Sequence, residues 1–168
     1  MASNMYIKFE EPALEAGTSA AGHEKDIEVL SWNHGFSQPT SPTRAAAGSA
    51  TVEQATHQNL SFSKYLDGAT SDMLKACWAG KQFKTVTLSC YRADGAKDNK
   101  PVKYLEVEMK NVVIANYSVS GGPGDIPVEN VSLDYGVCKY NYISQKREDG
   151  SAGGNKPATH DLEKREVE

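Results

Sequence analysis

Cysteine is sparse: Cys77, Cys90 and Cys138 are scattered along 168 residues with no CxxC among them. An odd, widely spaced set excludes a disulfide framework and predicts reduced, partly buried thiols from a cytosolic folding environment. The opening "MASNMYIKFEEP" lacks a charged stretch leading into an apolar one, so no cleavable secretory signal is expected. No run approaches the roughly 18 apolar residues that cross a bilayer, which predicts no membrane insertion. Positive charge is short too. The net charge is −4 with both signs interspersed, which argues against a nucleic-acid partner. The expectation is a soluble chain made in the cytoplasm, which some other machinery must export if it leaves the cell.

Catalytic signatures are equally scarce. His23, His34, His57 and His160 form neither HxxxH nor HExxH, and none pairs with a cysteine at ligand spacing, so no metal is expected. There is no GxSxG elbow. Cys90 falls on the apolar phase of a strand and Cys77 on the apolar stripe of a helix, where thiols behave as small hydrophobes. "SGGPGD", 120–125, lacks the GK[ST] ending of a P-loop and leads into no helix. Glu106 and Glu108 share the polar face of a strand. Asn59, Asn116 and Asn130 each head a glycosylation sequon, which means little without a secretory signal. The motifs predict no enzyme and no cofactor.

What is present is alternation with period two. Met5, Ile7 and Phe9 mark one strand, Leu60 and Phe62 a second, and Val86, Leu88 and Cys90 a third. "VKYLEVEMKNVVIANYSVS" is far longer than a usual strand, so a bend near Asn111 is expected. One helix is predicted from Ser71, as N-cap, to Ala79, with Met73, Leu74, Cys77 and Trp78 on one face and Gly80 at the left-handed C′ position. Ser37 to Gln54 reads as an extended loop. Residues 148–168, polar and Gly-rich, read as a flexible tail beyond a domain of 1–147. Short strands, turn signals and one short helix predict a mainly β, two-sheet antiparallel barrel with the helix packed beside it.

The alternation twice changes phase. In "DIEVLSWNHGF" it passes from Ile27 and Val29 to Leu30, Trp32 and His34; in "NVSLDYGVCKYNY" it passes from Val131, Leu133 and Tyr135 to Cys138, Tyr140 and Tyr142. A bulge accounts for part of this. The rest suggests a second apolar face covered by another copy of the chain, as when identical subunits close into a ring.

The segments "MYIKFEE", "VLSWNHGFSQP", "HQNLSFSKYLDGATSDMLKACWAGK", "LSCYRADG", "YLEVEMKNVVIANYSVSGG" and "ENVSLDYGVCKYNY" occur in the order seen in the haemolysin-coregulated protein (Hcp) family, and from Met5 to Gln145 the chain resembles it. The resemblance implies a tube subunit of the bacterial type VI secretion system: a homohexameric ring, stacked rings inside a sheath, and a tube exported with a spike and effectors that its channel binds and chaperones. It places Asn33, the residue after the tryptophan, on the channel wall, with Ser31 as its same-face neighbour. Tyr140 and Tyr142 are assigned either to a seam between subunits or to a second layer of the same barrel. Arg44, in the extended loop, is expected to reach a neighbouring subunit or ring. Some family members carry a C-terminal toxin domain, but the residues after Arg147 are fewer than the roughly 40 an independent domain needs. The alternative is a monomeric ligand-binding β-domain.

Overall fold

A computed structural model describes residues 4–40, 54–92, 100–148 and 150–168. In chain order the elements are β1 (Met5–Glu10), β2 (Ile27–Glu28), β3 (Ser31–Asn33), β4 (Phe36–Ser37), β5 (Thr56–His57), β6 (Leu60–Tyr65), α1 (Thr70–Ala79), β7 (Gln82–Arg92), β8 (Val102–Ser120), β9 (Val128–Asp134), β10 (Val137–Gln145), β11 (Ala152–Asp161) and β12 (Glu166–Val167). All the strand pairings are antiparallel. The expected barrel is not closed. Among the described residues, ten strands form one branched sheet with a main arm β12-β11-β10-β8-β7-β1-β2 and a second arm in which β3, β6 and β9 join β8. β4 and β5 form a separate two-stranded hairpin. Both arms turn their apolar sides onto one core, built from Ile7, Phe9, Val86, Leu88, Val107 and Met109 of the first and Leu60, Phe62, Ile114, Val131 and Leu133 of the second.

The phase changes are corners in this sheet. At the first, the Val29 N–H donates to the Met5 carbonyl at 2.9 Å and the Leu30 N–H to Ser63 at 2.8 Å, so the chain passes from β1 to β6 between neighbouring residues. Ile27 and Val29 are fully buried, and Trp32, opposite Phe62, packs on the same core. At the second corner, β9 in one arm becomes β10 in the other around Gly136. Val131, Leu133 and Tyr135 are buried before it and Cys138 after it, and Tyr140 packs against the core. A strand that switches between packed layers must shift its parity by one residue to keep its apolar side inward. As far as Tyr140, the seemingly separate apolar faces are therefore one interior. β8 does the same along its own length: Val107 and Met109 are buried, then Val112 and Ile114, across Asn111 at a left-handed φ of 55°. Asparagine tolerates that conformation well, and its side-chain amide donates to Glu163 Oε1 at 3.0 Å.

The helix departs from expectation at its start. Ala69, not Ser71, precedes it and provides no side-chain cap; the Asp67 carboxylate instead accepts the Ala69 N–H at 2.9 Å. Gly80 closes it at φ 61° as expected. The helix turns Met73 and Ala76 inward, while Trp78, assigned above to the apolar stripe, is 77% exposed.

The expected flexible tail is a correction as well. Ala152–Asp161 forms β11 along β10, with Cys138 opposite His160 and Tyr140 opposite Ala158. Its composition is polar because most of its side chains face solvent; backbone hydrogen bonds to β10, rather than burial, hold it. Gly153 is required there: a Cβ would sit 2.5 Å from Ser144 Oγ and 3.0 Å from the Ser144 carbonyl oxygen.

Candidate functional site

On the second arm each strand sends its apolar residues inward, and the opposite phase is left with small polar groups. Asn33 pairs with Ser61, Ser61 with Ser132 and Ser132 with Asn116; alongside, Ser31 pairs with Ser63, Ser63 with Asn130 and Asn130 with Ser118. The result is a two-row grid of serine and asparagine across four strands, with no charged side chain in it. The Ser31 and Ser63 hydroxyls are 2.5 Å apart and those of Ser61 and Ser132 are 2.9 Å apart, so the grid is partly self-bonded and holds its rotamers. A shallow depression of about 160 Å³ lies over Ser31, Asn33, Ser61, Ser63 and Asn130.

The grid stays uncharged because β6 and β9 turn charges inward. Lys64 and Glu129 are each fully buried, and Lys64 Nζ pairs with Glu129 Oε2. Lys64 also meets Asp67 Oδ1 at 2.9 Å and donates to the Tyr65 carbonyl at 3.1 Å. The Tyr117 hydroxyl donates to Glu129 Oε1. Burial and that anionic partner raise the Tyr117 pKa, so the hydroxyl remains a donor. This cluster ties β6, β8 and β9 to the start of α1.

A second polar cluster lies under the β4–β5 hairpin. His34 Nδ1 lies 2.5 Å from the Tyr140 hydroxyl and Nε2 lies 2.5 Å from that of Tyr135. His57 Nδ1 meets the same Tyr135 hydroxyl at 2.8 Å, and His57 Nε2 lies 2.6 Å from His160 Nδ1. Phe36 packs on His34, His57 and Tyr140. Burial lowers the His34 pKa to about 4, with the neighbouring His57 adding to the effect, and lowers that of His57, with His160 adding. Burial raises the Tyr135 and Tyr140 hydroxyls and pushes Cys138 up to about 11. Among the described residues, no group of three or more His, Cys, Asp or Glu side chains could hold a metal ion.

Of the residues singled out by sequence, Ser31 and Asn33 are exposed and share the outward phase. Tyr140 is half-buried on the inward phase beneath its own chain's hairpin, whereas Tyr142, further along that phase, is 46% exposed. Arg44 lies outside the described residues. The rest of the grid and the exposed Trp78 were missed. The outward phases of "LSFSK" and "ENVSLD" carry the grid's signal, but the register that brings them together is not in either segment.

A family model described as "Type VI secretion system effector, Hcp" matches residues 6–142. The chain belongs to the Hcp family. It is 32% identical over 155 residues to Protein hcp1 of Pseudomonas aeruginosa, covering 92% of this chain and 91% of that protein. Among solved structures, Hcp1 from Salmonella typhimurium is similar at a TM-score of 0.76 and 25% identity, with both chains fully covered. The structure described as a type six secretion system protein is similar at 0.86 and 24% identity, covering 99% of this chain and 100% of that one, a likeness of fold. This Hcp-family chain is accordingly a structural tube subunit of the type VI secretion system and not an enzyme.

Proposed function

We propose that the chain closes into a homohexameric ring, that rings stack into a tube, and that the serine–asparagine grid faces the channel and holds effectors in transit. Sheath, spike and effectors are the partners that this reading implies, and the tube is exported whole from the cytoplasm. The grid is the observation that carries it. A passage lining must hold cargo and release it, and hydroxyls and amides offer hydrogen bonds without a fixed charge to desolvate. Asn33→Glu puts a carboxylate in the grid's first row. Co-purification of effector is expected to fall about tenfold, from the cost of covering one unpaired charge, while ring mass stays unchanged. Undiminished cargo recovery would count against the channel assignment.

Tyr140 is half-buried beneath its own chain's hairpin, and this reading extends the seam between subunits to more exposed groups. Trp78, 77% exposed, and Tyr142, 46% exposed, are large aromatic side chains of the kind enriched at interface cores. In Trp78→Ser/Tyr142→Ser, light scattering should show the six-chain assembly giving way to smaller species, with the circular dichroism of the folded chain retained. A wild-type mass equal to one 18.2 kDa chain would favour the monomeric alternative.

A further inference from the structure

The β4–β5 hairpin shares no described ladder with the ten-stranded sheet. Its own ladder is two residue pairs, Phe36 with His57 and Ser37 with Thr56, beside one bond from the Gln58 N–H to the Gly35 carbonyl at 2.9 Å. It rests on the main arm through Phe36 and through the chain Tyr140–His34–Tyr135–His57–His160. We propose that this hairpin is an arm docked through an uncharged histidine–tyrosine relay and released when mildly acidic conditions load the relay with protons.

The proton count makes the case. With all three imidazoles neutral, Tyr140 donates to His34 Nδ1, His34 Nε2–H to Tyr135, Tyr135 to His57 Nδ1, and His57 Nε2–H to His160 Nδ1. Every link is then satisfied, and the reverse order serves equally well. One added proton is absorbed by turning a tyrosine hydroxyl. Two are not. If His34 and His57 are both cationic, each donates to Tyr135, whose own proton is left the Gln58 carbonyl oxygen at 3.5 Å and the weakly accepting Cys138 sulfur. If His57 and His160 are both cationic, two N–H groups oppose each other across 2.6 Å.

A backbone hydrogen bond to Gln58 favours charged His34 in part, and little else offsets that charge. The groups facing the hairpin are Tyr135, with Asp134 beside it, from the corner after β9; Cys138 and Tyr140 from β10; His160 from β11; and Val167 from β12. The cavity beneath it, of about 420 Å³, is lined by no carboxylate. The sign follows from linkage. The docked state holds the His34 proton affinity below its ordinary value, so docking is at full strength above about pH 6.5 and weakens as pH falls toward about 4.

Hydrogen–deuterium exchange of the full chain at pH 7.5 and 5.0, corrected for intrinsic rates, tests this. Protection of residues 34–37 and 56–58 should fall at least about tenfold at pH 5.0, while 86–90 in β7 keeps its protection. In His160→Asn, which retains an acceptor but takes one imidazole out of the relay, the local fall should shrink by about threefold or more. Equal hairpin protection at both pH values, a parallel loss in β7, or an unaltered response in His160→Asn would each overturn the proposal.

Discussion

Glu129→Ala is expected to cost about 3–5 kcal/mol of folding stability, the range for removing one partner of a fully buried ion pair. Both side chains are wholly inaccessible, so water cannot take the place of the lost carboxylate. Lys64 keeps Asp67 and the Tyr65 carbonyl, which pulls the cost toward the lower end; the Tyr117 hydroxyl loses its acceptor, which pulls the other way. Asp67 also bonds the amide that starts α1, so the damage reaches the helix. The pair itself need not be a net gain over neutral groups. Lys64→Met with Glu129→Gln removes both charges while leaving an acceptor for Tyr117, and should recover more than half of the loss. Urea unfolding at matched protomer concentration measures both. A single-variant loss below about 1 kcal/mol would show that the site relaxes or hydrates, against the burial described.

Ending the chain after Arg147 should also be severe, although a flexible tail would make it harmless. It removes β11 and β12, and with them the partner of β10 from Val137 to Gln145. Ladder hydrogen bonds net about 1 kcal/mol each, and roughly half of the sum is offset by releasing the strand, leaving about 3 kcal/mol and a fall in Tm near 10 °C. The bared edge carries Val137, Tyr140, Tyr142 and Ile143, an invitation to pair with other chains. Among the described residues this side of the sheet ends on the two-residue β12, a short and poor template. Thermal melts and light scattering report both effects; a truncated chain with unchanged Tm and no aggregation would show that β11 contributes nothing.

Much of the core could be read from alternation. Ile7, Phe9, Leu60, Phe62, Val86, Leu88 and Cys90 all lie inward on the predicted phases. Parity, however, is local: it tells which residues share a side of a strand, not where the sheet folds back. Hence Tyr140 reads as a second face although Gly136 only turns a corner and returns it to the interior. The tail was misread for a related reason, since a composition too polar to bury a surface can still be held by its backbone. In the candidate site, Ser31 and Asn33 stood out beside a tryptophan. Ser61, Ser63, Asn130 and Ser132 did not, because small polar residues carry no signal singly and their meaning arises from register. Lys64 sits on an apolar phase in the sequence, and only the fold reveals the acid waiting opposite it.

β8 belongs to both arms, pairing with β7 and β10 in its first part and β9 in its last. The two arms are therefore joined through the continuous backbone of this nineteen-residue strand. A force prying the halves apart thus meets the covalent backbone of a strand anchored at one end in each. The junction between the halves therefore rests on an unbroken chain as well as on the packing of side chains.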